Sequence, residues 1–215
     1  MNPSLPAAST VAVFVVAAIV LVAIPGPNML FILGRGLDQG PRAAFAAAIG
    51  VELGTLVHVL GTVVGLSALI AASPVAFTVI KYAGAGYLFY LAVRVLRSRP
   101  APAAEAVREH HVRLTRLAGE AAMVNILNPK VALFFLALLP QYVDPDRGSI
   151  GSQTLALGLL FFGIALIMDL AYATLSVPLG RWQRTSSTVA TVQRYVSCTT
   201  FLALGLYAVF AGPAG

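Results

Sequence analysis

The stretch Pro25-Gly26-Pro27-Asn28 interrupts a long apolar segment near the beginning of the chain. Proline inside a helix removes a backbone hydrogen bond and clashes with the preceding turn, so this stretch predicts a broken or kinked helix. A second stretch, Asn125-Ile126-Leu127-Asn128-Pro129-Lys130, interrupts another apolar segment about 100 residues later. A matched pair of interruptions favours a functional site over two unrelated packing kinks.

The composition around these stretches is that of a membrane protein. Of the 215 residues, 59% are hydrophobic and 10% are charged, whereas soluble domains have roughly 45–50% apolar and about 25% charged residues. A transmembrane helix uses about 20 apolar residues, so the chain has material for about six spans and no room for a separate catalytic domain. The predicted spans are about 10–33, 43–72, 74–95, 118–140, 154–178 and 194–212.

One long connector, about 96–117, divides these spans into two sets of three. Because three is odd, two halves that are repeats must cross the membrane in opposite directions, which is a common plan of transporters. The predicted fold class is therefore an all-α polytopic membrane protein with six transmembrane helices in two inverted three-helix repeats, whose first and fourth helices are broken. Residues 1–95 form the first repeat, 96–117 a basic cytoplasmic connector, and 118–215 the second repeat.

Positive charge predicts the orientation. The first, third and fifth connectors carry eleven Lys and Arg residues, and the second and fourth carry two, Lys81 and Arg147. Cytoplasmic loops of membrane proteins carry the excess of Lys and Arg. Both termini are therefore predicted to lie outside, with the connector 96–117 in the cytoplasm.

Two acidic residues lie within predicted spans. Glu52 is about nine residues into the second span, roughly 14 Å deep at about 1.5 Å per residue, in a hydrocarbon core about 30 Å thick. Asp169 is similarly central in the fifth span, where it shares a helical face with Tyr172 and Ser176. A carboxylate at that depth costs about 2.5 kcal/mol or more and normally marks a route for an ion or a substrate. We therefore expect both acids to face an interior cavity.

A glycine stripe runs along the second span on one helical face, made of Gly50, Gly54, Gly61 and Gly65. Small residues at this spacing favour close helix packing, which would also allow a homo-oligomer to form through the glycine faces. Because successive residues of a helix are rotated by about 100° around its axis, Glu52 lies on a different side of the helix from this stripe. His58 borders it and is predicted to be a hydrogen-bonded core histidine rather than a ligand.

Several classes of protein are disfavoured. The single cysteine, Cys198, cannot form a redox pair, and His110-His111 lacks a third ligand at a metal-site spacing. The Lys and Arg residues are too dilute for a nucleic-acid surface, and no phosphate-binding loop motif for ATP is present. We predict no enzyme activity, no metal site, no cofactor and no nucleic-acid partner.

The same residues resemble the LysE/RhtB family of amino-acid exporters over about 10–210. The resemblance is carried by Pro25-Gly26-Pro27-Asn28 with Gly36 and Gly40, Gly50-x-Glu52-x-Gly54-x-x-x-His58 leading into Gly65-Leu66-Ser67-Ala68-Leu69, Lys81-Tyr82-Ala83-Gly84-Ala85-Gly86-Tyr87-Leu88, and Asn128-Pro129-Lys130 running to Phe134-Phe135 and Pro140-Gln141.

The resemblance implies a six-span exporter of the bacterial inner membrane that uses the ion gradient to remove amino acids or close derivatives, of the threonine, homoserine, homoserine lactone, leucine or lysine class. A zwitterionic amino acid needs a site with both charges. The predicted substrate-binding residues are Pro25, Gly26, Pro27, Asn28, Asn125, Asn128, Pro129, Lys130 and Tyr172, and the predicted proton-coupling residues are Glu52 and Asp169. The two acids could instead contact the substrate's amino group, and Lys130 or released backbone amides could hold its carboxylate.

Two other functions are compatible with the pattern. A cation or metal-ion exporter could use Glu52, Asp169, Asn28 and Asn125 as an oxygen-rich site, although few such ligands are available. A membrane subunit that assembles partners through its glycine faces, without transport, would leave the acids and the matched breaks without a purpose.

Overall fold

The computed structural model describes residues 6–72 and 113–178, and beyond them only separate helical positions within 79–97 and 191–210. The described residues are helical and include no strand. The helices are α1 Ala8–Ala23, α2 Pro27–Gln39, α3 Pro41–Ala72, α4 Leu114–Ile126, α5 Pro129–Leu133 and α6 Ile150–Thr174.

Both interruptions predicted from proline are real breaks. The α1–α2 pair and the pair formed by α4 and the segment that begins at Pro129 are each bent by 48°. In each case a proline is the first residue of the second helix, where its missing N–H is not needed and its fixed φ angle suits the helix. The sequence therefore both ends one helix and starts the next.

The segment after Pro129 departs from a plain helix. It continues from α5 into a π-helical turn, Phe134–Leu138, and then a 3₁₀ turn, Leu139–Tyr142, that contains Pro140. A second 3₁₀ turn, Pro145–Arg147, leads to α6. The predicted fourth span, 118–140, is thus bent once and finishes in non-α geometry.

Among the residues that the structure describes, two helices are long and apolar enough to cross a membrane, α3 over Pro41–Gly65 and α6. The count rises to four if each bent pair is one span. These four elements match the first, second, fourth and fifth predicted spans. The third and sixth predicted spans, and most of the connector 96–117 with His110-His111, lie outside the described residues. The arrangement as six spans in two inverted repeats therefore stays a prediction.

The outer surfaces of these helices are apolar. Val16 on α1, Val64 on α3 and Ile167 on α6 are 61%, 74% and 70% exposed. Isolated apolar residues on a surface are ordinary, but here they lie on helices of membrane-spanning length, where the surrounding medium is lipid.

The long helix α3 packs along both α4 and α6. The first half of the glycine stripe lies at the contact with α4: a side chain at Gly50 would overlap the Ala118 carbonyl, and one at Gly54 would lie 2.8 Å from the Ala122 carbonyl oxygen. Gly61 and Gly65 are exposed and have no described atom within 4 Å of such a side chain. Within the described residues only the first half of the stripe packs against another helix, and a packing role for Gly61 and Gly65 stays a prediction.

Gly50→Ala is therefore expected to destabilise the protein by about 1–3 kcal/mol, the usual range for overpacking a close contact. Gly61→Ala is the matched control, because it adds the same methyl group on the same helix at an exposed position. Thermal unfolding of the two purified variants measures the difference. Equal unfolding temperatures would show that the α3–α4 contact does not need a glycine.

Candidate functional site

The two helix breaks meet through Asn28. Its Nδ2 donates to Oδ1 of Asn125 at 2.8 Å, and its Oδ1 accepts from Nδ2 of Asn128 at 2.9 Å. Asn28 lies in the first turn of α2, Asn125 lies in the last turn of α4, and Asn128 directly precedes α5. One side chain thus joins breaks that lie about 100 residues apart in the sequence.

Asn125 is fully buried and fully hydrogen-bonded. Besides accepting from Asn28, its Nδ2 donates to the Val51 carbonyl at 2.6 Å and to Oγ1 of Thr55 at 2.8 Å. Its own carbonyl lies 3.2 Å from Nε2 of His58. A buried amide is stabilising only when all its polar atoms are paired, and this one fixes α4 to α3. His58 is thus a hydrogen-bonded histidine, as predicted.

Lys130 closes the broken end of α1. The Leu21 carbonyl would normally accept from the N–H of residue 25, but that residue is proline and has none. Nζ of Lys130 donates to the carbonyls of Leu21 and Ile24, both at 3.0 Å. A cation is also favourable at a helix C-terminus because of the helix dipole. The lysine of the second break therefore satisfies the carbonyls freed by the first.

Glu52 of α3 and Asp169 of α6 face one another across the same cavity. They are 2% and 4% exposed, and the two carboxyl groups interact electrostatically. Neither oxygen of Glu52 has a hydrogen-bond partner of good geometry among the described residues. Two carboxylates in one buried place repel each other, and a shared proton removes that repulsion.

The cavity between these groups has a volume of about 20 Å³, which is room for about one water molecule. A cavity of this size does not hold an amino acid. Its walls carry Asn28, Glu52, Thr55, Lys130 and Asp169 as polar residues and Leu21, Val22, Met29, Val131, Phe161 and Ala165 as apolar ones.

The structure brings most of the predicted site residues together. Four of them line the cavity, namely Asn28, Glu52, Lys130 and Asp169. Asn125 and Asn128 form hydrogen bonds with the side chain of Asn28, and Gly26 lies beside Lys130. Pro25, Pro27 and Pro129 shape the breaks without lining the cavity.

Tyr172 stands apart from this group. It is one turn from Asp169 on α6, half-buried, and packs against the cluster that contains Ile32 and Ala173. It does not line the cavity, although its side chain is near enough to Asp169 to interact with it electrostatically.

Sequence reasoning missed several lining residues. Thr55 follows Glu52 by three positions and therefore shares its helical face, a signal that was available. Met29 directly follows the first break. Phe161 carries no such signal, because an apolar residue in an apolar helix looks the same whether it faces lipid or a cavity.

An ion pair joins α2 and α4 at some distance from the cavity. Nη2 of Arg35 lies 3.1 Å from Oε2 of Glu120, which also pairs with Arg116 one turn earlier at 3.2 Å. Arg35 also lies over the ring of Phe31, 4.9 Å from its centre. Within residues 6–72 and 113–178 there is no group of three or more His, Cys, Asp or Glu residues placed to hold a metal ion.

A helical membrane protein whose broken helices meet at a buried cavity lined by two acids and a lysine is a transporter by class, not an enzyme. Comparison with known proteins identifies it further. The model of the LysE type translocator family matches residues 19–212, and the chain belongs to this family.

The chain is also similar to individual membrane and efflux proteins. A protein of Vibrio cholerae named only as an uncharacterized membrane protein is 33% identical over 90% of this chain and 93% of its own length. A homoserine/homoserine lactone efflux protein of Salmonella typhi is 33% identical over 74% of this chain and 76% of its own. A leucine efflux protein of Salmonella choleraesuis is 32% identical over 61% and 62%. No solved structure matches the chain.

Proposed function

We propose that this protein exports an amino acid or a close derivative across the bacterial cytoplasmic membrane, as an antiporter driven by the proton-motive force. The observation that carries the proposal is that ionisable side chains of both signs line the cavity. Lys130, Glu52 and Asp169 all line one small cavity between the helix breaks. A zwitterion requires both signs of charge, and this cavity supplies them away from water.

The relatives support the direction and the class of substrate. Those with named functions are efflux proteins for leucine and for homoserine or its lactone. All of these molecules carry an amino group, and the two amino acids also carry a carboxylate. An apolar wall beside the charges would accommodate an uncharged side chain.

Proton coupling is proposed from the acid pair. A buried carboxyl group that interacts with a second one can hold or release a proton according to what else occupies the cavity. The amino group of a substrate would favour the charged acids, and loss of the substrate would favour proton uptake. Exchange of one for the other is antiport.

The test is uptake into inside-out membrane vesicles, with a panel containing leucine, homoserine, threonine and lysine. An acidic vesicle interior should accelerate uptake of at least one of them, and a protonophore should abolish that acceleration. Absence of uptake for the whole panel would reject amino-acid export. An uptake rate that does not change with the imposed pH gradient would reject proton coupling.

We further propose that both termini lie outside, as the Lys and Arg distribution indicates. In this orientation Ser149, an exposed residue before α6, faces the periplasm, and Gln39, at the end of α2, faces the cytoplasm. With Cys198 replaced by Ser, a cysteine at Ser149 but not at Gln39 should react with an impermeant thiol reagent on intact cells; the reverse pattern would invert the orientation.

A further inference from the structure

The two helix starts at the breaks differ in one respect. At α5 the side chain of Asn128 accepts from the backbone N–H of Lys130 at 3.0 Å, and its carbonyl accepts from Val131 and Ala132. The N–H groups in the first turn of α5 therefore all donate to oxygens of Asn128. This helix start has no free donor to offer a ligand in its first turn.

The start of α2 is open. The preceding residue is Gly26, which has no side chain to act as a cap. Leu30 donates to the Gly26 carbonyl, but the backbone N–H groups of Asn28 and Met29 make no hydrogen bond to any residue that the structure describes. Both residues line the cavity.

Ionisable groups of both signs line the cavity beside this start. A helix N-terminus carries a partial positive charge and binds carboxylates readily. Nζ of Lys130 lies close to Gly26, 3.2 Å from where a side chain there would begin. Glu52, which lines the same cavity, is 2% exposed, and neither of its oxygens has a hydrogen-bond partner of good geometry among the described residues.

We propose that the substrate's carboxylate binds at the start of α2 alone, to the N–H groups of Asn28 and Met29 beside Lys130, and that its amino group faces Glu52 and Asp169. This inference rests on the proposed function and adds the orientation of the substrate. It also means that the two matched breaks have different tasks: the α2 break binds, and the α5 break supports it through Asn128 and Lys130.

Gly26 provides the experiment. Its φ of −153° is extended backbone that any residue adopts, so a capping side chain can be introduced there. Asn or Ser at this position would accept from the free N–H groups and compete with a bound carboxylate. Gly26→Ala is the reference, because it adds the same Cβ near Lys130 without an acceptor.

Binding of L-leucine to the purified protein is measured for wild type and for Gly26→Ala, Gly26→Asn and Gly26→Ser. Relative to Gly26→Ala, each capping variant should raise the Kd by at least about tenfold, the size expected for losing a hydrogen bond to a charged group. Isopentylamine, which is leucine without its carboxylate, should bind the capping variants and Gly26→Ala equally.

The outcomes separate the two proposals. If the wild-type protein binds none of the amino acids in the transport panel, the proposed function fails. If it binds leucine but Gly26→Asn and Gly26→Ser bind it as Gly26→Ala does, the orientation inferred here is overturned. An equal loss of leucine and isopentylamine binding would also overturn it, because the cap would then not act on the carboxylate. Ser has a smaller side chain than Asn, so the comparison stands if one variant fails to fold.

Discussion

Glu52→Gln and Asp169→Asn are each expected to reduce gradient-driven export to the background of cells that lack the protein. Both side chains are almost completely buried and line the cavity. The amide variants keep the shape of the carboxyl groups but can neither take up a proton nor balance a substrate's ammonium group. Vesicle uptake with an acidic interior measures the loss, and purification yield with thermal unfolding shows that the variants are folded.

Asp146→Asn is the matched control for this prediction. Asp146 is an acid in the exposed 3₁₀ turn before α6, and its replacement should leave export unchanged. Normal transport by both cavity variants would remove the acids from the mechanism. If affinity for the substrate falls while the response to the gradient persists, the acids contact the amino group and do not carry the proton.

Lys130→Met is expected to destabilise the protein and to abolish export. Methionine has a similar length, but it leaves the carbonyls of Leu21 and Ile24 without the donor that they have now. Each unsatisfied buried group costs about 1–3 kcal/mol, so the total loss is roughly 2–6 kcal/mol. Removal of the ammonium group also leaves Glu52 and Asp169 without the positive group that shares their cavity.

Thermal unfolding and vesicle uptake measure the two effects of Lys130→Met separately. Arg147→Met is the control, since it removes a cation from an exposed turn where Arg147 pairs with Asp144. An unfolding temperature equal to that of wild type would show that Lys130 does not stabilise the end of α1. Retained export in a destabilised variant would exclude a role for Lys130 in transport.

The sequence was informative about the breaks because proline acts locally. Pro25 and Pro129 lack the N–H that a helix needs, whatever surrounds them, and both helices end where the prolines predicted. The burial of Glu52 and Asp169 was likewise predictable, because a carboxylate in a membrane-spanning segment almost always faces the interior of the protein.

The contacts that join the two breaks could not be predicted. Asn28, Asn125 and Asn128 were each candidates, but which amide donates to which depends on distances that only the folded chain fixes. That Tyr172 does not line the cavity could not be predicted for the same reason. Spacing from Asp169 predicted a shared helical face, and a face is broad enough to include residues that do not reach the cavity.

The difference between the two helix starts was present in the sequence but was not predicted from it. Both have proline in the first position, and symmetry suggested equal roles. The difference depends on the residue before each proline: Asn128 has a side chain that caps its own helix, and Gly26 has none. The roles of Glu52 and Asp169, like the six-span inverted repeat itself, remain predictions for experiment.

The contacts between α2 and α4 are unequal in strength. At one end, Asn28 and Asn125 form part of a buried network, and separating them would leave amide groups unpaired at about 1–3 kcal/mol each. Further along α2, Arg35 and Glu120 form a part-buried ion pair with no amide network around it among the described residues, and ion pairs at a surface are worth about 0–1 kcal/mol. We therefore expect α2 and α4 to be held together more firmly at Asn28 than at Arg35.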